Sequence, residues 1–115
     1  MHMSDKCIFC KIVAGEIPAT RVLEHQEVIA IQDANPQAPV HVLVLPRRHV
    51  PGLAELPASD VLWNELIAVV QEIVEAKGLD QGFRVVVNQG DDGGQTVPHL
   101  HLHVLGRRTM AWPPG

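Results

Sequence analysis

The sequence predicts an α+β fold, most simply one antiparallel sheet with helices packed on it. Three observations carry that prediction. Short β-rich runs flank one long run of helical periodicity. The strand-like run at 40–45 is apolar on both faces. The order along the chain is helix, strands, long helix, strands. With 115 residues, the chain makes a single domain spanning 1–115 with a modest core.

Each element has a local cause. Residues 6–14 read as a short helix ended by Gly15, with Ile8, Phe9 and Ile12 turned inward. Pro18 then forces an extended exit. Strands are predicted at 21–25 and 28–32, separated by Gln26-Glu27, with a turn at Asp33-Ala34-Asn35-Pro36. The run Val-His-Val-Leu-Val-Leu at 40–45 suggests a central strand ended by Pro46, and a basic loop follows at 47–52. In the long helix, 60–77, Leu62, Leu66, Val69, Val70 and Ile73 form one stripe. Ser59 is its expected N-cap and Gly78 its left-handed terminator. Strands at 83–88 and 98–105 flank a glycine-rich loop over 90–95.

Composition excludes several function classes. A net charge of -4 and an aromatic content of 3% with no tyrosine argue against nucleic-acid binding by phosphate neutralisation or base stacking. No apolar run reaches the roughly 18 residues of a membrane span. The start Met1-His2-Met3-Ser4-Asp5 lacks the basic-then-apolar pattern of a signal peptide, so a cytoplasmic protein is expected. In that compartment Cys7-x-x-Cys10 is a thiol pair or a metal half-site rather than a structural disulfide. Spacing alone leaves two buried thiols and a Cys2His2 zinc site, completed by His49 and one histidine of the 99–103 run, equally open.

The chemistry concentrates at His99-Leu100-His101-Leu102-His103. Strand alternation puts three imidazoles on one face and the apolar residues toward the core. Three adjacent imidazoles repel one another when charged, so at least one is neutral near pH 7, the state a nucleophile needs. The plainer reading, a solvated row of histidines, fits strict alternation after a glycine loop poorly. In that loop Gly94, Gln95 and Thr96 offer donors for phosphate oxygens, although Gly93-Gly94 also suits an ordinary hairpin turn. His41 reads as a satisfied core histidine, or as an orienting partner if its strand lies beside the triad strand. Asn88 reads as a strand-end cap or a substrate donor.

The run His99-Leu100-His101-Leu102-His103-Val104-Leu105 resembles the motif of the histidine-triad (HIT) family. Further segments resemble its purine nucleoside phosphoramidase branch: Cys7–Ile12, Gly15–Ala19, Asp33, Pro36–Pro39 with His41, Pro46–His49, Gly94–Val97 and Trp112–Gly115. The resemblance implies a five-stranded antiparallel sheet with one long and one short helix, doubled by a twofold into ten strands. It implies that His101 attacks the α-phosphorus of a nucleoside 5′-phosphoramidate or acyl phosphate, forming a nucleotidyl-histidine that water hydrolyses. His103, Gly94, Gln95 and Thr96 would meet the phosphate, with Asn88 nearby, and His41 would hold His101. Asp33 would bind the ribose, Ile8, Phe9 and Ile17 the base, and Trp112 would lie near the partner subunit's site.

Two departures qualify the match. Thr96 stands where many members have serine, which preserves the hydroxyl. Pro98 stands where animal members tend to have an aromatic, and in this the chain resembles the bacterial and archaeal members, some of which bind zinc. Counterparts of their ligands are Cys7, Cys10, His49 and His99, which implies a structural zinc and no cofactor for the chemistry. The expected partners are purine nucleoside monophosphates, their phosphoramidates and a second copy of the chain. A dinucleoside polyphosphate hydrolase and a non-catalytic nucleotide-binding regulator are the alternatives. The Trp-Pro-Pro-Gly ending favours the phosphoramidase.

Overall fold

The computed structural model describes residues 6–115. The start Met1–Asp5, including its reading as a chain without a signal pattern, lies outside the described residues. Elements follow in the order α1 (Ile8–Val13), β1 (Arg21–Glu24), β2 (Val28–Gln32), β3 (Val40–Pro46), a 3-10 turn at Leu53–Glu55, α2 (Leu62–Ala76), β4 (Phe83–Val86) and β5 (Leu102–Gly106). The strands make one antiparallel sheet in the order β1-β2-β3-β5-β4, so β3 is central as its two apolar faces predict.

Strand alternation sorts the core into two layers. Ala30, Val42, Val44, Leu102 and Val104 join the α2 stripe Leu62, Leu66, Val69, Val70 and Ile73 on one side of the sheet. Ile29, Ile31, Leu43 and Leu45 meet Phe9 and Ile12 of α1 on the other. The long helix thus buries its predicted stripe, and the short helix covers the opposite face. Among the described residues, no helix is long and apolar enough to cross a membrane.

Several boundaries differ from the sequence reading, each for a physical reason. The last strand begins at Leu102 rather than 98, because the segment before it bonds elsewhere. Pro98 has no N–H to donate, the His99 amide turns back to the Val97 carbonyl, and the Leu100 amide donates to the Val50 carbonyl. β4 ends at Val86, so Asn88 lies beyond the strand. Ser59 does not cap α2. Asp60 does, its Oδ1 accepting from the Leu62 amide at 2.9 Å while Oδ2 takes Arg48 at 2.6 Å. The bond to Arg48 holds the Asp60 carboxyl below its ordinary pKa. Ile8 is 45% exposed rather than turned inward. Gly78, at φ +64°, ends α2 as predicted.

Candidate active site and metal-ligand cluster

A cavity of about 720 Å³ opens on the α1 side of the sheet. Ile8, Phe9, Ile12 and Ile17 wall one part of it, while Asp33, Thr96, His101 and His103 supply polar groups. Among the described residues, the lining side chains include no lysine or arginine. Register explains how the histidines arrive. His103 pairs opposite Leu43 and His41 opposite Leu105, so both point away from α2, toward the layer that α1 covers. They are diagonal neighbours across the β3–β5 ladder, and their rings meet, His41 Nε2 lying 2.9 Å from His103 Nδ1.

The three triad imidazoles are not a solvated row. His99 is fully buried, His101 is 7% exposed, and His103 is half-buried. Burial is the largest cause that lowers all three pKa values, since a charged ring loses hydration. His99 and His103 are each pushed down to about 4, with neighbouring imidazoles adding to the effect. The Pro46 carbonyl opposes the shift at His99, and the His99 carbonyl and Asp33 oppose it at His101.

Hydrogen-bond partners then assign a different tautomer role to each ring. His99 Nε2 donates to the Pro46 carbonyl at 2.8 Å, which leaves Nδ1 as a lone pair. His101 Nδ1 donates to the His99 carbonyl at 2.7 Å, which leaves Nε2 as the lone pair. His103 Nδ1 faces His41, and its Nε2 is buried without a partner among the described residues. Phe9 stands edge-on to two of these rings, with centroids 5.8 Å from His99 and 4.9 Å from His101.

The His99 lone pair faces sulfur. Its Nδ1 is 3.3 Å from Cys7 Sγ and 3.5 Å from Cys10 Sγ, and His49 Nδ1 is 3.3 Å from Cys10 Sγ. One ligand atom from each of Cys7, Cys10, His49 and His99 lies within 4.8 Å of the other three. Tetrahedral zinc with ordinary Zn–S and Zn–N bonds spaces sulfur and nitrogen by about 3.5 Å. Donor chemistry and spacing therefore suit a metal ion, and the bond to Pro46 fixes the His99 ring as metal-bound histidines require. Without a cation, burial and the neighbouring Cys7 push the Cys10 thiol up to about 11. Both cysteines are free.

The HIT domain model matches residues 14–110. The chain belongs to the HIT domain family. An uncharacterized HIT-like protein of Synechococcus elongatus is 47% identical over 114 residues, covering 98% of this chain and 100% of the relative. A HIT family hydrolase from Legionella pneumophila superposes with a TM-score of 0.92 at 43% identity, covering 96% of this chain and all of that one. A Zn-bound histidine triad family protein from Mycobacterium smegmatis superposes at 0.80 with 38% identity, covering 91% of this chain and 77% of that one. The five-stranded sheet with two helices is the HIT-like fold, and hydrolases stand among its structural neighbours.

Within this HIT domain the expected site residues separate into three groups. Ile8, Phe9, Ile17, Asp33, Thr96, His101 and His103 line one cavity. Cys7, Cys10, His49 and His99 gather beside it. Asn88, Gly94, Gln95 and Trp112 are not among the lining residues. The Gln95 amide is occupied within its loop, its Nε2 donating to the Pro51 and Val97 carbonyls and its Oε1 accepting from the Gly90 amide. Gly94, at φ +77°, shapes the same turn. His41 touches His103 rather than His101, which instead leans on the His99 carbonyl. Sequence reasoning missed the Pro46 and His99 carbonyls and the Gln37 amide, which donates to His41 Nδ1 at 3.0 Å, because backbone groups leave no mark on residue identity.

Proposed function

We propose that this HIT protein hydrolyses nucleoside 5′-phosphoramidates through a nucleotidyl intermediate on His101. The observation that carries the reading is the bond from His101 Nδ1 to the His99 carbonyl. It leaves the Nε2 lone pair of a neutral imidazole at the cavity, the state a nucleophile needs. In the first step Nε2 attacks the α-phosphorus and the P–N bond to the leaving amine breaks. In the second, water attacks the same phosphorus and the bond to His101 breaks. Over both steps water supplies the hydroxyl on phosphorus and the proton on the amine. The His103 Nε2–H and the Thr96 hydroxyl meet the phosphate oxygens. Asp33 takes the ribose, and Ile8, Phe9 and Ile17 take a purine.

A cavity with no lysine or arginine among its described lining residues suits a substrate of low charge better than a polyphosphate. That favours a phosphoramidate over a dinucleoside polyphosphate. Gly94, Gln95 and Asn88 support the phosphate side through the loop. Zinc held by Cys7, Cys10, His49 and His99 would have four protein ligands and no open position. It would supply structure and no step of the reaction. Free thiols of this kind suit a reducing compartment, the cytoplasm.

The sheet edges support a homodimer. β4 is an edge strand with Phe83 and Val85 exposed, whereas the other edge, β1, carries a register shift. Pairing β4 with its copy makes ten strands. Trp112, 84% exposed on a single chain, is then available to the partner subunit's cavity.

The test is to trap the intermediate. Brief exposure to adenosine phosphoramidate should add one adenylyl mass to a peptide containing His101. Faster turnover of a diadenosine polyphosphate overturns the substrate assignment, and nucleotide binding without any adduct overturns the enzymatic one.

A further inference from the structure

We propose that a second cavity, at the end of the β4–β5 ladder, is an anion site that takes a phosphorylated small molecule on Arg84, Arg107 and Arg108. Among the described residues it shares no lining residue with the triad cavity.

The site lies where the sheet runs out. Phe83 pairs with Gly106, so the residues that enter β4 and those that leave β5 meet at one end of the ladder. There they enclose an open cavity of about 650 Å³. Arg84, Arg107 and Arg108 line it, Gln81 and Thr109 add neutral donors, and among the described residues no aspartate or glutamate joins them. A third of the nine lysines and arginines of an acidic chain is thus gathered at one place.

The other arginines are neutralised. Arg21 lies 2.8 Å from a Glu24 oxygen, Arg47 lies 3.5 Å from the same oxygen, and Arg48 lies 2.6 Å from Asp60. Arg84, Arg107 and Arg108 are held by backbone carbonyls instead. Arg84 Nη2 donates to the Ala111 carbonyl at 3.0 Å, and Arg108 Nε donates to the Gln37 carbonyl at 2.8 Å. Arg107 Nε and Nη2 both donate to the Lys77 carbonyl, at 3.2 and 2.8 Å. A carbonyl fixes a guanidinium in place and leaves its charge uncompensated. It also uses only part of the five N–H groups. Arg107 stands at φ +66°, a left-handed conformation that a residue with a Cβ adopts at a cost.

Each arginine has a plain structural duty. Arg107 closes the C-terminal end of α2, where a cation suits the helix dipole, and Arg84 straps the chain end to the sheet. Those duties do not account for three unneutralised charges around open volume. Like charges repel, and an anion between them removes the repulsion. A carboxylate brings two oxygens and one charge. A phosphate brings more oxygens and up to two charges, and the guanidinium fork matches it. The cavity is larger than one phosphate group, so a phosphate ester or a pyrophosphate fits it better. Arg84 grips the carbonyl next to Trp112, so occupancy should register at that indole.

The test needs a local readout, because the triad cavity meets a phosphate in the proposed reaction. The 1H–15N signals of Nε in Arg84, Arg107 and Arg108 are followed in the 15N-labelled full chain at constant ionic strength. The titrants are pyrophosphate, phosphate, acetate and chloride. Trp63→Phe leaves Trp112 as the only tryptophan for a parallel fluorescence titration. The three arginine signals should move together and saturate, with pyrophosphate binding at least about tenfold more tightly than phosphate. Arg84→Gln and Arg108→Gln should each weaken pyrophosphate about tenfold or more, and Arg21→Gln should change nothing. Sedimentation checks that all chains are compared in one oligomeric state. Equal, unsaturating shifts with chloride and pyrophosphate would mean screening of exposed charge and would overturn the site. Saturation seen only at Thr96 and His103, or surviving both cavity variants, would put the anion elsewhere and overturn it as well. If one cavity variant does not fold, the other decides.

Discussion

The candidate metal-ligand cluster and the candidate cavity share one stretch of backbone, His99–His103, yet they treat imidazole in opposite ways. In the cluster, His99 gives its N–H to the Pro46 carbonyl and turns its lone pair to two sulfurs. Two residues on, His101 gives its N–H to the His99 carbonyl and keeps its lone pair for the cavity. The cluster has four protein donors within reach of one point, which suits holding. The cavity has unpaired nitrogen beside open volume, which suits attack. Identical side chains acquire different chemistry because each is held by a different backbone carbonyl. The two regions also touch, through the His99 peptide and through Phe9, which packs edge-on to both rings.

If that division is right, rate and stability should respond separately. The largest effect is expected at His101. His101→Ala should lower phosphoramidate turnover at least about 10⁴-fold, because among the described residues no other ring has the same free lone pair at the cavity. Nucleotide affinity, measured by calorimetry, should stay within about tenfold of the parent chain. Residual turnover near the parental rate would move the nucleophile elsewhere.

The cluster should show the reverse pattern. Cys10→Ser, or metal removal with a strong chelator, should cost about 4 kcal/mol in denaturant unfolding, the scale associated with losing a structural metal. Turnover of the protein still folded should fall by no more than about 100-fold, the scale of a small displacement of the His101 support. Metal content measured on the same samples ties the stability loss to the ion. A variant that keeps its stability but loses all turnover would mean that the cluster belongs to the chemistry.

A finer separation uses pH. His103 has a folded pKa of about 4 against about 6.5 in an unfolded chain. Between those values the unfolded chain binds the proton and the folded one does not, so stability rises with pH across that window. The contribution is complete above about pH 6.5 and is lost as pH falls through 4. His103→Gln should therefore flatten the stability profile between pH 6.5 and 4 relative to the parent chain. An unchanged slope would show that His103 is not held neutral.

Much of this was legible in the sequence, and the limits have a common cause. The α2 stripe, the central β3 and the Gly78 terminator follow from periodicity and from residues with strong backbone preferences. The four residues of the candidate metal cluster and the gathering of His101 and His103 follow from the motif. What escaped is backbone bonding. Strict alternation at 98–105 reads as one strand, but the Leu100 amide bonds to Val50 and the strand starts at Leu102. Ser59 has the right chemistry for a cap, but Asp60 sits one residue nearer the helix and takes the Leu62 amide. His41 lies on the expected strand, but register places it diagonal to His103, so it meets the His103 ring rather than His101.

Gln95 gives the smallest and most pointed test, because its residue type suggests a phosphate donor while its bonds lie in the loop. Its side chain closes three contacts, with the Pro51 and Val97 carbonyls and the Gly90 amide. Gln95→Ala removes all three in a partly exposed loop, where water can replace part of what is lost. The expected cost is about 1 kcal/mol of stability. Thr96 and Val97, which line the cavity, lie directly after it, so a loosened loop should raise KM by a few-fold with kcat nearly unchanged. A loss confined to kcat would mean instead that Gln95 leaves the loop to bind the transferring phosphate, and the cavity would then recruit a donor that its resting geometry keeps elsewhere.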